Sequence, residues 1–108
     1  VSYRYGQSNE NGFDCSGFVK YVYGNFGYEL PHSSYEQYHK TQHLDKQKAQ
    51  PGDLVFFITY GHHISHVGIY IGDNTFIHSP SRGRSVCIDS LDSDYYRRHL
   101  VGFGSVLK

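Results

Sequence analysis

His66-Val67-Gly68-Ile69-Tyr70-Ile71-Gly72-Asp73-Asn74-Thr75-Phe76-Ile77-His78-Ser79 is the stretch on which the fold turns. His66 to Ile71 is rich in β-branched and aromatic residues and reads as a strand. Gly72-Asp73-Asn74-Thr75 supplies a hairpin turn, and Thr75 to Ser79 returns. Just upstream, Pro51-Gly52-Asp53 launches the short apolar run Leu54-Val55-Phe56-Phe57-Ile58, a buried strand. Downstream, Ser85 to Ile88 reads as another strand and Tyr95 to Arg98 as one helical turn. Leu100 to Leu107 can close the sheet, although Gly102 and Gly104 weaken that assignment. Before all of these the pattern is helical. From Asp14, which can cap the N-terminus, Phe18, Val19, Val22 and Phe26 fall on one face, and Gly27 offers a stop. Leu30-Pro31 breaks the chain, and Ser33-Ser34-Tyr35-Glu36 forms a capping box for a second helix through about His39. Val1 to Gly12 reads as a loop. Helices first and an antiparallel sheet after them give an α+β fold.

The 108 residues fit one domain, 1–108, large enough to bury a core without staples. Ten basic and ten acidic residues balance to zero, which argues against a nucleic-acid binder or a polybasic membrane-surface module. The longest strongly apolar run, Leu54 to Ile58, is far short of the ~20 residues of a membrane helix. Nothing reads as a signal peptide, and a start at Val1 is expected of an excised or processed domain. Two cysteines, Cys15 and Cys87, make no disulfide framework.

Asp14-Cys15-Ser16-Gly17-Phe18 sits where loop becomes helix. The first helical turn leaves amide N–H groups unpaired and carries partial positive charge. A thiolate there is expected to be stabilised by ~0.3–1 kcal/mol, and by up to ~2 kcal/mol when partly buried, lowering the cysteine pKa. The same N–H groups can receive an oxyanion in acyl transfer, with Asp14 and Ser16 flanking the sulfur, and Gly17 leaves the approach open. An inert buried Cys at a helix end fits the position equally well.

A nucleophile of this kind needs a base and a group to orient it. Of eight histidines, His66 opens the most convincing strand and His78 lies on its return partner. His62 and His63 sit in a polar loop, and His32, His39, His43 and His99 read as surface residues. A regular two-residue loop at Asp73-Asn74 would pair Ile69 with His78. His66 would then lie roughly 10 Å along the strand and on the opposite face. One extra residue repairs this, placing His66 and His78 about 7–8 Å apart as diagonal neighbours on one face. Gly within a strand marks bulges, so a bulge or a longer loop is predicted near Val67-Gly68.

The competing use of these side chains is a metal. His62, His63, His66, His78 and Cys15 could supply ligands, but their spacing matches no zinc signature, so no metal is expected. Cys87, between Val86 and Ile88, follows strand alternation and reads as a small core or half-core residue. Tyr3 and Tyr5, flanking Arg4, read as packing residues with wet hydroxyls.

Tyr3-Arg4-Tyr5-Gly6, Asp14 to Val19, Leu30-Pro31-His32-Ser33-Ser34, Pro51 to Phe56, His66 to Gly72 and Phe76 to Ser79 together resemble the ordered blocks of the NlpC/p60 cell-wall endopeptidases. The resemblance covers nearly the whole chain. It implies a papain-like α+β core with a Cys nucleophile, a His base and a third polar residue, roles that carry over to Cys15, His66 and His78. A Tyr twelve residues before the nucleophile, here Tyr3, is implied to point at the active site. Gln7 departs from the second Gly that many members have after Tyr-Gly.

The implied reaction is hydrolysis of amide bonds in peptidoglycan stem or cross-link peptides, without cofactor. The implied setting is a bacterial envelope, as a periplasmic protein or outer-membrane lipoprotein, or secretion; a monomer is expected. A non-catalytic peptidoglycan-binding module on the same fold is the alternative, and Cys15, His66 and His78 together argue against it. A lipid acyltransferase would want an apolar tunnel or an amphipathic helix, neither of which is visible. A secreted toxin would use the same chemistry as a wall remodeller.

Overall fold

The structure, a computed structural model, describes residues 14–80 and 86–106. Its elements are helices α1 (Cys15–Gly24) and α2 (Ser34–Lys40), strand β1 (Gln42–Leu44), a 3₁₀ turn (Lys46–Lys48), strands β2 (Leu54–Phe57), β3 (His66–Gly72), β4 (Thr75–His78) and β5 (Cys87–Ser90), helix α3 (Asp94–His99) and strand β6 (Leu100–Ser105). The six strands form one antiparallel sheet in the order β1-β6-β2-β3-β4-β5. This is the α+β arrangement expected, with β1 and the 3₁₀ turn added from a stretch too polar to announce them.

Strand alternation sorts the core into two layers. Leu54, Phe56, Val67 and Ile69 face α1 and pack on Phe18, Val19 and Tyr23. Val55, Phe57, Tyr70, Phe76 and Phe103 face the other way, with Leu91 and, partly buried, Tyr96 of α3. β2 is therefore buried on both sides, which is why it reads as an unbroken apolar run.

α1 stops earlier than Gly27. Its last helical residue is Gly24, and Gly27 takes a left-handed φ of +88° in the turn that follows. Phe26 lies beyond the helix and is 72% exposed, so its expected place on the buried face is wrong. The capping box at α2 forms as expected: Ser33 Oγ accepts from the Glu36 amide at 3.0 Å and donates to its carboxylate at 3.1 Å.

The hairpin decides where the histidines point. Asp73 and Asn74 both have positive φ, 55° and 61°, as a tight two-residue turn requires. The register runs Gly72↔Thr75 and then Tyr70↔Phe76 and Ile69↔Ile77, so Ile71 is one extra residue on β3. The bulge is thus at Ile71, beside the turn and next to left-handed Gly72, and not at Val67-Gly68 as expected. Its effect on parity is the same, because any single insertion between His66 and the turn brings both rings to one face. Gly68 is small for a different reason. A Cβ there would lie 2.8 Å from Phe76 Cδ2 and 3.1 Å from His78 Cβ, so a side chain would push directly on the buried histidine.

Candidate active site

Cys15 is the first residue of α1, and Asp14 caps it, its Oδ1 accepting from the Gly17 amide at 2.7 Å. The Cys15 thiol donates weakly to the Ser65 carbonyl at 3.9 Å, the residue immediately before β3. Helix start and strand start therefore meet at one corner. There Cys15 and His66 line a cleft of about 460 Å³ with Ser33, Ser34, Thr59 and Tyr60. The Ser16 side chain is buried, and the Ser16 carbonyl accepts from Gln37 Nε2 at 3.1 Å. Gln37 also donates to the Pro31 carbonyl at 2.9 Å, tying the start of α1 to α2. Tyr3 lies outside the described residues, as does Gln7.

His66 and His78 are both buried, their rings edge to face at 4.9 Å between centroids. His66 Nε2 is 2.7 Å from His78 Nδ1, and His78 Nε2 is 2.7 Å from Asp89 Oδ2. The strand register explains this chain of contacts. Continued past Ile69↔Ile77, it sets His78 opposite Gly68, and Asp89 stands opposite Phe76. Each step, His66 to His78 and His78 to Asp89, is a diagonal neighbour relation across one strand pair. The relay climbs β3, β4 and β5 away from the cleft, walled by Phe57, Phe76 and Tyr96.

Hydrogen-bond logic assigns the protons. An ionised carboxylate only accepts, so His78 Nε2–H donates to Asp89. With a single proton on its ring, His78 has a bare Nδ1, which accepts from His66 Nε2–H. His66 is left with its lone pair on Nδ1.

Burial sets the charge states. It pushes the Cys15 thiol up to about 11, with help from nearby Asp14, while the amides of Val67, Ser16 and Cys15 itself pull the other way and lose. The helix start therefore does not yield the lowered pKa expected from its dipole. Burial likewise holds His66 down at about 3, with His78 adding to the effect and Asp89 opposing it. At neutral pH the pair rests as thiol and neutral imidazole.

Asp89 and Gln37 escaped the sequence reading. The β5 strand was expected to end at Ile88. One more residue of alternation would have put Asp89 on the face of Cys87, which stands directly opposite His78. The other histidines fall as expected on exposed positions, except His99, which is half-buried with Nδ1 donating to the Ile58 carbonyl at 2.8 Å.

The family model described as NlpC/P60 matches residues 1–105. The chain belongs to the NlpC/P60 family. It is 43% identical over 105 residues to the probable endopeptidase p60 of Listeria monocytogenes, covering 97% of this chain and 21% of that protein. To the murein DD-endopeptidase MepH of Escherichia coli it is 41% identical over 110 residues, covering 97% of this chain and 41% of MepH. The chain thus spans well under half the length of these relatives. Among solved structures, a lipoprotein-like NLP/P60 protein of Staphylococcus aureus superposes with a TM-score of 0.87 at 36% identity, over 98% of this chain and 36% of that one. The NlpC/p60 domain of the peptidoglycan hydrolase SagA gives 0.80 at 30% identity, over 95% of this chain and 85% of that one. No helix among the described residues is long and apolar enough to cross a membrane.

Proposed function

We propose that this chain is a single catalytic domain, a cysteine-type endopeptidase that hydrolyses amide bonds in peptidoglycan stem or cross-link peptides in the bacterial cell envelope. The carrying observation is the line of two 2.7 Å contacts from His66 through His78 to Asp89, starting in the cleft that also holds Cys15. The relatives support the chemistry: MepH is named a murein DD-endopeptidase, and CwlT of Bacillus subtilis, 43% identical over 107 residues, a bifunctional muramidase/DL-endopeptidase.

Cys15 Sγ attacks the scissile carbonyl carbon while its proton passes to His66 Nδ1. Because thiol and imidazole are both neutral at rest, transfer accompanies attack rather than preceding it. The amides of Cys15 and Ser16, with the Asp14 cap fixing the first turn, receive the oxyanion. The family resemblance implies a part for the Tyr3 hydroxyl in the same step. His78 holds His66 Nε2–H in a donor role, and the Asp89 charge favours the imidazolium as it forms. When the C–N bond breaks, the His66 proton leaves with the amine. His66 then takes a proton from water as the hydroxyl adds to the thioester, and collapse releases the acid and restores the thiol. This sequence needs no metal or organic cofactor.

The test is digestion of purified peptidoglycan peptides with fragments identified by mass. A new amine and a new carboxylate at one amide bond, produced by the chain and not by its Cys15→Ser variant, are expected. Binding without cleavage would overturn the peptidase reading in favour of a binding module.

A further inference from the structure

Three ligand-type atoms meet at the far end of the relay: His78 Nε2, Cys87 Sγ and an Asp89 carboxylate oxygen, all within 4.8 Å of one another. The set is not the one weighed from sequence, since His62, His63 and Cys15 take no part. It arises from register. Cys87 faces His78 directly across β4 and β5, and Asp89 follows two residues later on the same face.

The edges of this triangle can be compared with a tetrahedral zinc site. Zinc takes sulfur at about 2.3 Å and imidazole nitrogen or carboxylate oxygen at about 2.0–2.2 Å. Tetrahedral angles then require ligand–ligand distances of about 3.6 Å for S···N and S···O and about 3.4 Å for N···O. The observed distances are 3.9 Å for Cys87 Sγ to His78 Nε2, 3.6 Å for Cys87 Sγ to Asp89 Oδ2, and 2.7 Å for His78 Nε2 to Asp89 Oδ2. Two edges already fit. The third opens once a cation replaces the proton between nitrogen and oxygen, and the Asp89 side chain, 42% exposed, has room to move and gives the ion a way in. Thiolate, imidazole and carboxylate together suit zinc, and their charges neutralise a divalent ion.

The geometry points to a regulatory zinc site formed by His78, Cys87 and Asp89, with water as fourth ligand, that switches the relay off. A metal on His78 Nε2 takes the place of the proton donated to Asp89. The His66 Nε2 proton crosses to His78 Nδ1, so the hydrogen bond between the rings reverses. The displaced proton is carried by His66 on Nδ1, and Nδ1 no longer has the lone pair that would accept from Cys15. The balance is one proton released per zinc bound, from the Cys87 thiol. The inhibitory half of this inference rests on the peptidase reading, whereas the binding half does not.

Binding is tested in the Cys15→Ala variant, which removes the other thiol, with cobalt(II) as a spectroscopic stand-in for zinc. A thiolate-to-cobalt charge-transfer band saturating at one ion per chain, and lost in Cys15→Ala/Cys87→Ala, is expected. No band, or a band that survives removal of Cys87, would overturn the site. Inhibition is tested with Cys15 present, as the ratio of peptidoglycan-peptide cleavage in zinc to cleavage in chelator. Within-variant ratios cancel any change that Cys87→Ala makes to the rate itself. Half-inhibition at a zinc concentration at least about tenfold higher in Cys87→Ala is expected. Equal sensitivity would place the inhibiting ion on Cys15 and overturn the switch. A chain that binds cobalt through Cys87 but cleaves nothing would support the site and count against the peptidase reading alone.

Discussion

Cys15 and Cys87 are both half-buried and neither is in a disulfide, yet they sit in opposite kinds of surroundings. Cys15 begins a helix, with the amides of Ser16 and Val67 favouring its thiolate and a cleft in front of it. Cys87 lies in a strand, facing His78 with Asp89 beside it, 3.6 Å from sulfur to oxygen. Degree of exposure does not separate them. What separates them is which end of the His66–His78–Asp89 line each touches: Cys15 shares the cleft with the ring whose Nδ1 is bare, and Cys87 touches the carboxylate end.

The sharpest way to break this contrast is to delete each sulfur in turn. Cys15→Ser should lower the cleavage rate at least about 10⁴-fold, while Cys87→Ser, assayed in chelator, should lower it less than about tenfold. Similar losses would erase the distinction. Next in size comes the relay. His66→Ala should cost about 10²–10⁴-fold, whereas His78→Gln should keep part of the activity because an amide can still accept from His66 Nε2–H. Asp89→Asn should cost about 10-fold or more through His78. Mild and equal losses at 66 and 78 would mean that His66 is not the base.

Much of this was legible in the residues. The Asp14 cap, the Ser33–Glu36 box and the apolar β2 run each have a local cause, and each formed where its cause lies. The need for one extra residue between His66 and His78 follows from strand parity. Its position does not, since a bulge at Ile71 and one at Val67-Gly68 give the same parity. Gly68 looked like a bulge marker but answers to Phe76 and His78 across the sheet, a contact between strands that spacing along the chain does not encode. Burial was the other hidden quantity. A helix start favours a thiolate by ~0.3–1 kcal/mol, and by up to ~2 kcal/mol when partly buried, and only the packed structure reveals that desolvation of Cys15 outweighs it.

That desolvation gives the pH dependence its sign. His66 ordinarily titrates at 6.5 and in the fold near 3, so the unfolded chain binds its proton first as pH falls. Its contribution to stability is complete above about pH 6.5 and drains away toward pH 3. Cys15 moves from 9.0 to about 11, so the unfolded chain loses its proton first and stability falls as pH rises from 9 to 11. Denaturant midpoints across both windows check this. In His66→Ala the acid limb should shrink, and in Cys15→Ser the alkaline one. The smallest effect is expected from Gly68→Ala, a loss of about 1–3 kcal/mol through overpacking against Phe76 and His78, read from thermal or denaturant unfolding.

Everything chemical here depends on which ring nitrogen holds each proton. Nitrogen-15 NMR of histidine-labelled protein in chelator, near neutral pH, reads this directly. His66 and His78 should both appear as neutral rings protonated on Nε2, with Nδ1 bare. Protons on Nδ1 of both rings, or an imidazolium at His66, would contradict the relay from Cys15 to Asp89.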